Sequence, residues 1–398
     1  MASHVYGNGT NSTSGANTIT HYYDKAGIKA ANRTNVYGQW ASKKFQPKKM
    51  GKTFKISKFL HMYDRALADG DFAAKGYMTG RDLDTLQALL ADSAGTGVSL
   101  PEGAGTQNER TLEKVTVEAS LARFGEMLTY TDEVDLFSED VMQVRYREEL
   151  GELANSRYED LIQLDLLATP TKVYAGIATS MATLGNGIAN DGSEDDVWTI
   201  TYDGIRKAVR KLVRNRAKRN TSVVTGSTKV DTKTIAASYY AIIDADVKAD
   251  LETIVRGTGN EAAYAYVPFH KYGDAATAAQ GEVGSMHEVR FIESEAAVVE
   301  YQKGADVDAS YVGNLAYTGT PGTDAKFDVH PILFPTEGSF ATVGLKGMNR
   351  ISFNAKSPKD TDLTNPYATK GFFSYNFFYA TIILEAEKLL RYDVLVNK

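Results

Sequence analysis

Six histidines are the first place to look for chemistry: His4, His21, His61, His270, His287 and His330. None stands at the i, i+4 spacing of a helical metal pair, and neither an HExxH run nor a DxDxDG loop occurs. Cysteine is absent from all 398 residues. That removes thiolate nucleophiles, disulfides, iron–sulfur clusters and cysteine-containing zinc sites. There is no GxSxG elbow and no phosphate-cradling GxxxxGK[ST] loop. The glycine-rich piece from Gly95 to Gly105 has no strand-to-helix context that would make it a nucleotide site. Carboxylates are plentiful, for example Asp244, Asp246 and Asp250, and residue type alone leaves general acid–base pairs open. Asp246 and Asp250, however, stand four apart on an expected helix, where a solvated face is the plainer reading. No catalytic residue, cofactor-binding residue or metal ligand is expected.

Charge is more informative. The net charge is −6 and the pI about 5.7, so any contact with a polyanion must come from a local patch. One such patch is a run without an intervening acid: Arg206, Lys207, Arg210, Lys211, Arg214, Arg216, Lys218 and Arg219. It reads either as a stripe facing DNA phosphates or as a solvated face answering acids such as Asp191, Glu194, Asp195 and Asp196. A second cluster, Lys43 to Lys58, includes Lys52, Lys55 and Lys58 and has the same two readings. Tyr and Phe are abundant, 23 and 16, but they do not interleave with the basic runs as stacking platforms would.

The elements that must position these charges follow from periodicity. The length predicts two or three domains, and the balance of 43% hydrophobic and 24% charged residues is that of a globular protein able to bury a core. The first twenty residues are rich in Asn, Ser, Thr and Gly and read as a flexible or partner-ordered arm; they lack the basic and apolar regions of a secretory signal. Lys29 to Trp40 is mildly helical, and Pro47 and Gly51 break it. Lys52 to Lys58 alternates as a strand does, and Leu112 to Leu121 reads as its partner, with Val115, Val117 and Ala119 on one face and Lys114, Thr116 and Glu118 on the other. The roughly fifty residues between them are too long for a tight hairpin, and excursions of that size are usually functional or bind something.

Ser138 is a candidate N-cap for a long helix that Thr169-Pro170 stops. Val141, Val144, Leu150, Leu153, Ala154, Tyr158, Leu161 and Ile162 mark its apolar face. A second amphipathic helix is expected over Tyr202 to Arg219, with Ile205, Ala208, Val209, Leu212 and Val213 inside. Tyr239 to Ile243 reads as a buried strand running into a helix, Ala245 to Val255. Val289 to Ile292 and Ala296 to Val299 read as strands, Gly304 to Ala325 as loops or short hairpins, and Phe372 to Leu384 and Lys388 to Val396 as closing strands. The thirteen residues of Phe372 to Leu384 contain Ser374, Asn376 and Thr381 and fall short of the roughly 20 apolar residues of a membrane span. No membrane partner is expected. The class is mixed α+β with one beam-like helix.

The order of these pieces resembles the HK97-type fold of tailed-phage major capsid proteins, and within it the N4-like family. Leu100-Pro101-Glu102-Gly103, Val115-Thr116-Val117, Phe124-Gly125 and Thr131-Asp132 are similar to the second strand of that family's extended loop and its entry to the spine helix. Lys172-Val173-Tyr174-Ala175-Gly176 is similar to its aromatic-glycine turn, although Ala168-Thr169-Pro170-Thr171 replaces the usual small-Gly-Thr run there. Tyr239 through Asp246 with Asp250-Leu251, then Gly281-Glu282-Val283-Gly284 and Val289 through Glu293, resemble its axial domain. Gly371 through Leu384 and Arg391 resemble the terminal strands of its peripheral domain.

The resemblance implies an N-terminal arm over 1–50, an extended loop over 51–130, a spine helix over 131–170, a first peripheral part over 171–234, an axial domain over 235–345 and closing peripheral strands over 346–398. It implies a noncatalytic subunit that forms hexamers and pentamers of an icosahedral head, assembled in the host cytoplasm and residing in the virion. Packaged double-stranded DNA is the implied content, a smaller precursor shell the implied starting point, and scaffolding, portal and decoration proteins possible partners. In that frame Lys52, Lys55 and Lys58 are candidates for contacts between subunits, and Arg206, Lys207, Arg210, Lys211 and Arg214 for facing either DNA or a neighbour. The Lys–Asn cross-link of some relatives of the fold has no matching pair here. A tail or decoration protein, and more remotely a carbohydrate-active hydrolase using a carboxylate pair, are the competing readings.

Overall fold

The computed structural model describes residues 36–59, 114–133, 142–188, 195–224, 232–256, 263–264, 266–271, 279, 281–346, 351–359 and 365–398. From the N-terminal side, strand β1 is Ser42–Gln46, β2 Thr53–Phe59, β3 Lys114–Ser120 and β4 Ala122–Thr131. Helix α1, Met142–Leu167, is followed by β5, Lys172–Tyr174, and helix α2, Tyr202–Arg214. Then come β6 Asn220–Val224, β7 Thr232–Ile243 and helix α3 Ala245–Thr253. Strands β8 Val267–Pro268, β9 Glu282–Met286, β10 Val289–Glu293 and β11 His330–Phe334 follow. The chain closes with β12 Phe340–Leu345, β13 Ser352–Lys356, β14 Lys370–Ile383 and β15 Leu390–Val394. The mixture of helices and sheets is the α+β class that the periodicities predict.

Two sheets carry the architecture. The larger has eight strands in the order β8-β9-β10-β7-β11-β15-β5, with β6 paired to β7. The smaller has five, β1-β12-β14-β13 with β4 along β14. Alternation along β7 sends Tyr239, Ala241 and Ile243 to one core and Tyr240 and Ile242 to another, as a strand buried on both faces requires. Ile205, Ala208, Val209 and Leu212 of α2, with Val247 and Leu251 of α3, cover the first face. The second face meets α1, which lies between it and the aromatic side of β14.

Twenty-six residues of α1 span about 39 Å at 1.5 Å each. Leu150, Ala154, Ile162 and Leu166 are buried, and Leu153, Tyr158 and Leu161 half-buried against the same core, in keeping with the expected face. Ser138, Val141 and the side chain of Val144 lie outside the described residues. Phe373, Tyr375, Phe377 and Tyr379 of β14 point at this helix, where the Tyr158 and Phe377 rings meet at 5.6 Å. Tyr379 donates to Asp165 at 2.7 Å. At the corner after α1, the Thr169 and Thr171 hydroxyls donate to the carbonyls of Leu389 and Ala386 at 3.1 and 2.8 Å. The Ala168-Thr169-Pro170-Thr171 departure is thus a hydroxyl-tied corner.

Residues just before β1 are part of this core. Val36, Tyr37, Trp40 and Ala41 are buried, and Trp40 lies 4.5 Å from the ring of Tyr240. The Tyr37 and Gly38 amides donate to Oε2 of Glu159, at 2.8 and 3.2 Å. The rest of the expected helical tendency over Lys29 to Trp40 falls outside the described residues, which hold only the short 3-10 turn Gly38–Trp40.

Three expectations change. Helix α2 ends at Arg214, not Arg219: the Asn215 amide closes it on Lys211, and Arg216 turns the chain at φ 55. Val213, still within the helix but rotated away from Leu212, falls outside the apolar face and is 53% exposed. Ala296 to Val299 is not a strand; it leaves a turn and runs unpaired, with Val298 half-buried against the second core. Packing rather than pairing accounts for its apolar character. The helix beginning at Ala245 stops at Thr253, and Val255 belongs to a two-residue strand with Arg256.

Candidate functional site

The paired strands β2 and β3 form the first candidate surface. They pair antiparallel, Thr53 opposite Ser120 and Phe59 opposite Lys114, which is the pairing the alternation predicts. Phe54, Ile56, Val117 and Ala119 pack half-buried on Leu121, Val343, Ala380 and Ile382. This small core seats the base of the pair on the outer face of the five-stranded sheet. The Leu121 amide closes the base on the Lys52 carbonyl at 2.9 Å. The segment joining β2 to β3, including the glycine-rich piece near Gly95 to Gly105, lies outside the described residues.

The three candidate lysines do not form one row. Lys52 is exposed just before β2. Lys55 is exposed on the outer face and bonds Glu118 directly across the ladder at 2.5 Å. Lys58 pairs by register with Val115, in the alternate set of positions that contains Phe54 and Ile56. Exposed cross-strand ion pairs contribute little, about 0–1 kcal/mol, so Lys55 keeps most of its capacity to meet another acid.

Beyond this small core the outer face of β4 and β14 is open within the described chain. Registers place Met127 opposite Ser374 and Thr129 opposite Phe372 on that face. Met127 is 61% exposed.

Helix α2 is the second candidate surface. The Thr201 side chain caps it by accepting from the Gly204 amide at 3.1 Å, Asp203 sits in the first turn, and Lys211 and Arg214 sit in the last. Both charge placements suit the helix dipole. With Ile205, Ala208, Val209 and Leu212 fixed inward, Lys207, Arg210 and Arg214 are fixed outward and exposed. Arg206 is paired to Asp203 at 3.0 Å and lies over the Tyr202 ring. Lys211 is half-buried and donates to the Lys172 carbonyl at 2.9 Å; burial, helped by the neighbouring Lys207 charge, holds its pKa below the usual lysine range. Past the helix, Arg219 pairs with Glu288.

Of the acids expected to answer this helix, Asp195 is engaged elsewhere and Asp196 is exposed. Asp195 is buried and accepts from the Tyr311 hydroxyl at 2.8 Å and the Asn314 amide at 2.7 Å. Asp191 and Glu194 lie outside the described residues.

Polar clusters invisible in the sequence sit elsewhere. Asp250, expected on a solvated face, is instead buried and accepts from the Asn397 amide and side chain, both at 3.0 Å. Asp246 is exposed. Ligand-type atoms of Asp244, Asp246 and His330 lie within 4.8 Å of one another. Two are already engaged: His330 Nδ1 bonds Asp244 Oδ2, and Asp244 Oδ1 caps α3 by accepting from Val247 at 2.8 Å. Arg391 bonds Asp393 at 2.5 Å, Glu300 at 2.6 Å and the Leu167 carbonyl at 3.2 Å. That places a cation at the C-terminal end of α1. Burial outweighs the Arg391 attraction and pushes Asp393 up to about 6. These clusters bind elements to one another.

Comparison with known proteins extends the geometry. No family model matches the chain. It is 27% identical over 395 residues to a protein named major capsid protein from Pseudomonas phage KPP21, covering 95% of this chain and 93% of that one. The capsid of Ralstonia phage GP4 superposes with a TM-score of 0.57 at 12% identity, covering 98% of this chain and 99% of the other. The acid-stable capsid structure of Helicobacter pylori bacteriophage KHP30 gives 0.51 at 10% identity, with both chains covered completely. The chain has the HK97-like fold of phage capsid proteins.

Proposed function

We infer that this chain is a phage major capsid protein, a structural subunit that assembles with copies of itself into a shell. The observation that carries the reading is similarity along nearly the whole length, in sequence to a named major capsid protein and in fold to phage capsids. A lone domain or a short motif in common would say much less. The described surfaces suit such a role: a strand pair stands on a small core of its own, beside a sheet face left open. Head-to-tail contacts of this kind close into rings when the rotation permits, and several modest contacts per subunit reinforce one another.

The finer reading is also ours. The subunit belongs with the N4-like capsid proteins, forms hexamers and pentamers, works without catalysis, and resides in the virion after assembly in the host cytoplasm around double-stranded DNA. Scaffolding, portal and decoration proteins are its natural further partners. Its arm, extended loop, spine, peripheral and axial parts follow the division 1–50, 51–130, 131–170, 171–234 with 346–398, and 235–345. Lys52, Lys55 and Lys58 meet acids of a neighbouring copy, where opposite charge sets register more than affinity.

The test removes residues 64–108 between β2 and β3. Light scattering and thermal melting of the shortened chain should show a folded body that makes no large particles. Regular particles from that variant would contradict the clasp role given to this segment.

A further inference from the structure

We propose that the exposed stripe Lys207, Arg210 and Arg214 on α2 binds the phosphate backbone of double-stranded nucleic acid without reading its sequence. The inference rests on the shell reading above and decides between the two roles open to this helix. The apolar side of α2 is locked into the core, so the stripe cannot turn away from solvent. Its three cations recur at intervals of three and four residues and span about 10 Å along the axis, at 1.5 Å per residue. A duplex presents one negative charge per about 1.7 Å of its own axis, dense enough to engage all three.

Neighbouring cations are neutralised within the chain: Arg206 by Asp203, Arg219 by Glu288, Lys388 by Glu385. Among the described residues no ion pair is found for Lys207, Arg210 or Arg214. The chain as a whole carries net negative charge, so this row is a local concentration of positive charge.

A phosphate backbone fits better than an acidic protein surface. Protein interfaces are anchored by aromatic and large apolar side chains at their centre. On the outward side of α2 the apolar contribution is Val213, apart from the half-buried Tyr202 ring under Arg206. That side carries no Asn or Gln to read base edges, while two of the three cations are arginines able to grip phosphate oxygens bidentately.

The experiment uses the full chain and two labelled duplexes of unrelated sequence, with fluorescence anisotropy followed from about 50 to about 200 mM salt. Wild type should bind both alike. The variant Lys207→Gln/Arg210→Gln/Arg214→Gln should bind more weakly, its log–log salt slope smaller by about 2.7, at about 0.9 per phosphate. The charge-keeping variant Lys207→Arg/Arg210→Lys/Arg214→Lys should retain the wild-type slope. It also serves, with the single variant Arg210→Gln and its expected slope change of about 0.9, should the triple neutral variant fail to fold. An unchanged slope, or no duplex binding by wild type, overturns the proposal. Particle formation is scored separately by electron microscopy. If neutralisation abolishes particles and leaves the duplex slope intact, the stripe joins copies of the chain and the proposal falls while the shell reading stands. If wild type makes no particles, either alone or together with the products of its neighbouring genes, the shell reading falls and the slope still decides this one.

Discussion

Asp393 shows how a single buried group sets a pH dependence. Its pKa in the folded protein, about 6, lies above its value of about 3.9 in an unfolded chain. Between those values the folded state holds the extra proton, so this group's contribution to stability falls as pH rises from about 4 to about 6. Relative to Asp393→Asn, wild-type stability should therefore decline across that window; urea unfolding at several pH values measures it, and parallel profiles would contradict the assignment. Gly204 gives a steric counterpart. A Cβ there would collide with the Tyr392 hydroxyl, which packs against the first turn of α2. Gly204→Ala should cost about 1–3 kcal/mol as overpacking does, and Tyr392→Phe in the same chain should recover part of it. Neither relation is visible in the sequence, because Gly204 and Tyr392 meet only once α2 is laid on β15.

At the scale of elements, local periodicity was legible and long-range partners were not. The β2–β3 pairing follows from alternation with charges on the solvent face, and α1 from apolar residues spaced three and four apart. Asp250 misled because its partner, Asn397, is 147 residues away; spacing on one helix cannot show what the C-terminal tail brings to it. The unpaired run at Ala296 to Val299 misled in the opposite sense, since an apolar segment can pack without hydrogen-bonding into a sheet. The stripe on α2 was legible as a charge pattern, but its freedom from Asp195 appeared only when Tyr311 and Asn314 were found to hold that acid. Trp40 tests the anchoring of the segment before β1. With its ring against Tyr240 and 7% exposure, Trp40→Ala should cost about 3–5 kcal/mol in chemical denaturation. A loss under about 1 kcal/mol would mean that this segment is not part of the core. Reversing Lys52 and Lys55 to Glu should change subunit stability by no more than about 1 kcal/mol while lowering the yield of particles, measured by sedimentation. Full yield would remove these lysines from the set of contacts between copies.

For the whole molecule, the polar clusters that looked like possible chemistry hold elements together. Arg391, Asp393 and Glu300 tie the end of α1 to the large sheet, and His330 with Asp244 ties β11 to the cap of α3. What the described residues leave outward includes a seated strand pair, an open sheet face and a basic helix. Those are surfaces for meeting other molecules. Electron microscopy of the purified full-length chain, alone and together with the products of its neighbouring genes, is the most direct test. Closed shells, or rings of six and five subunits, are the expected result; a protein that stays monomeric under both conditions would contradict the account.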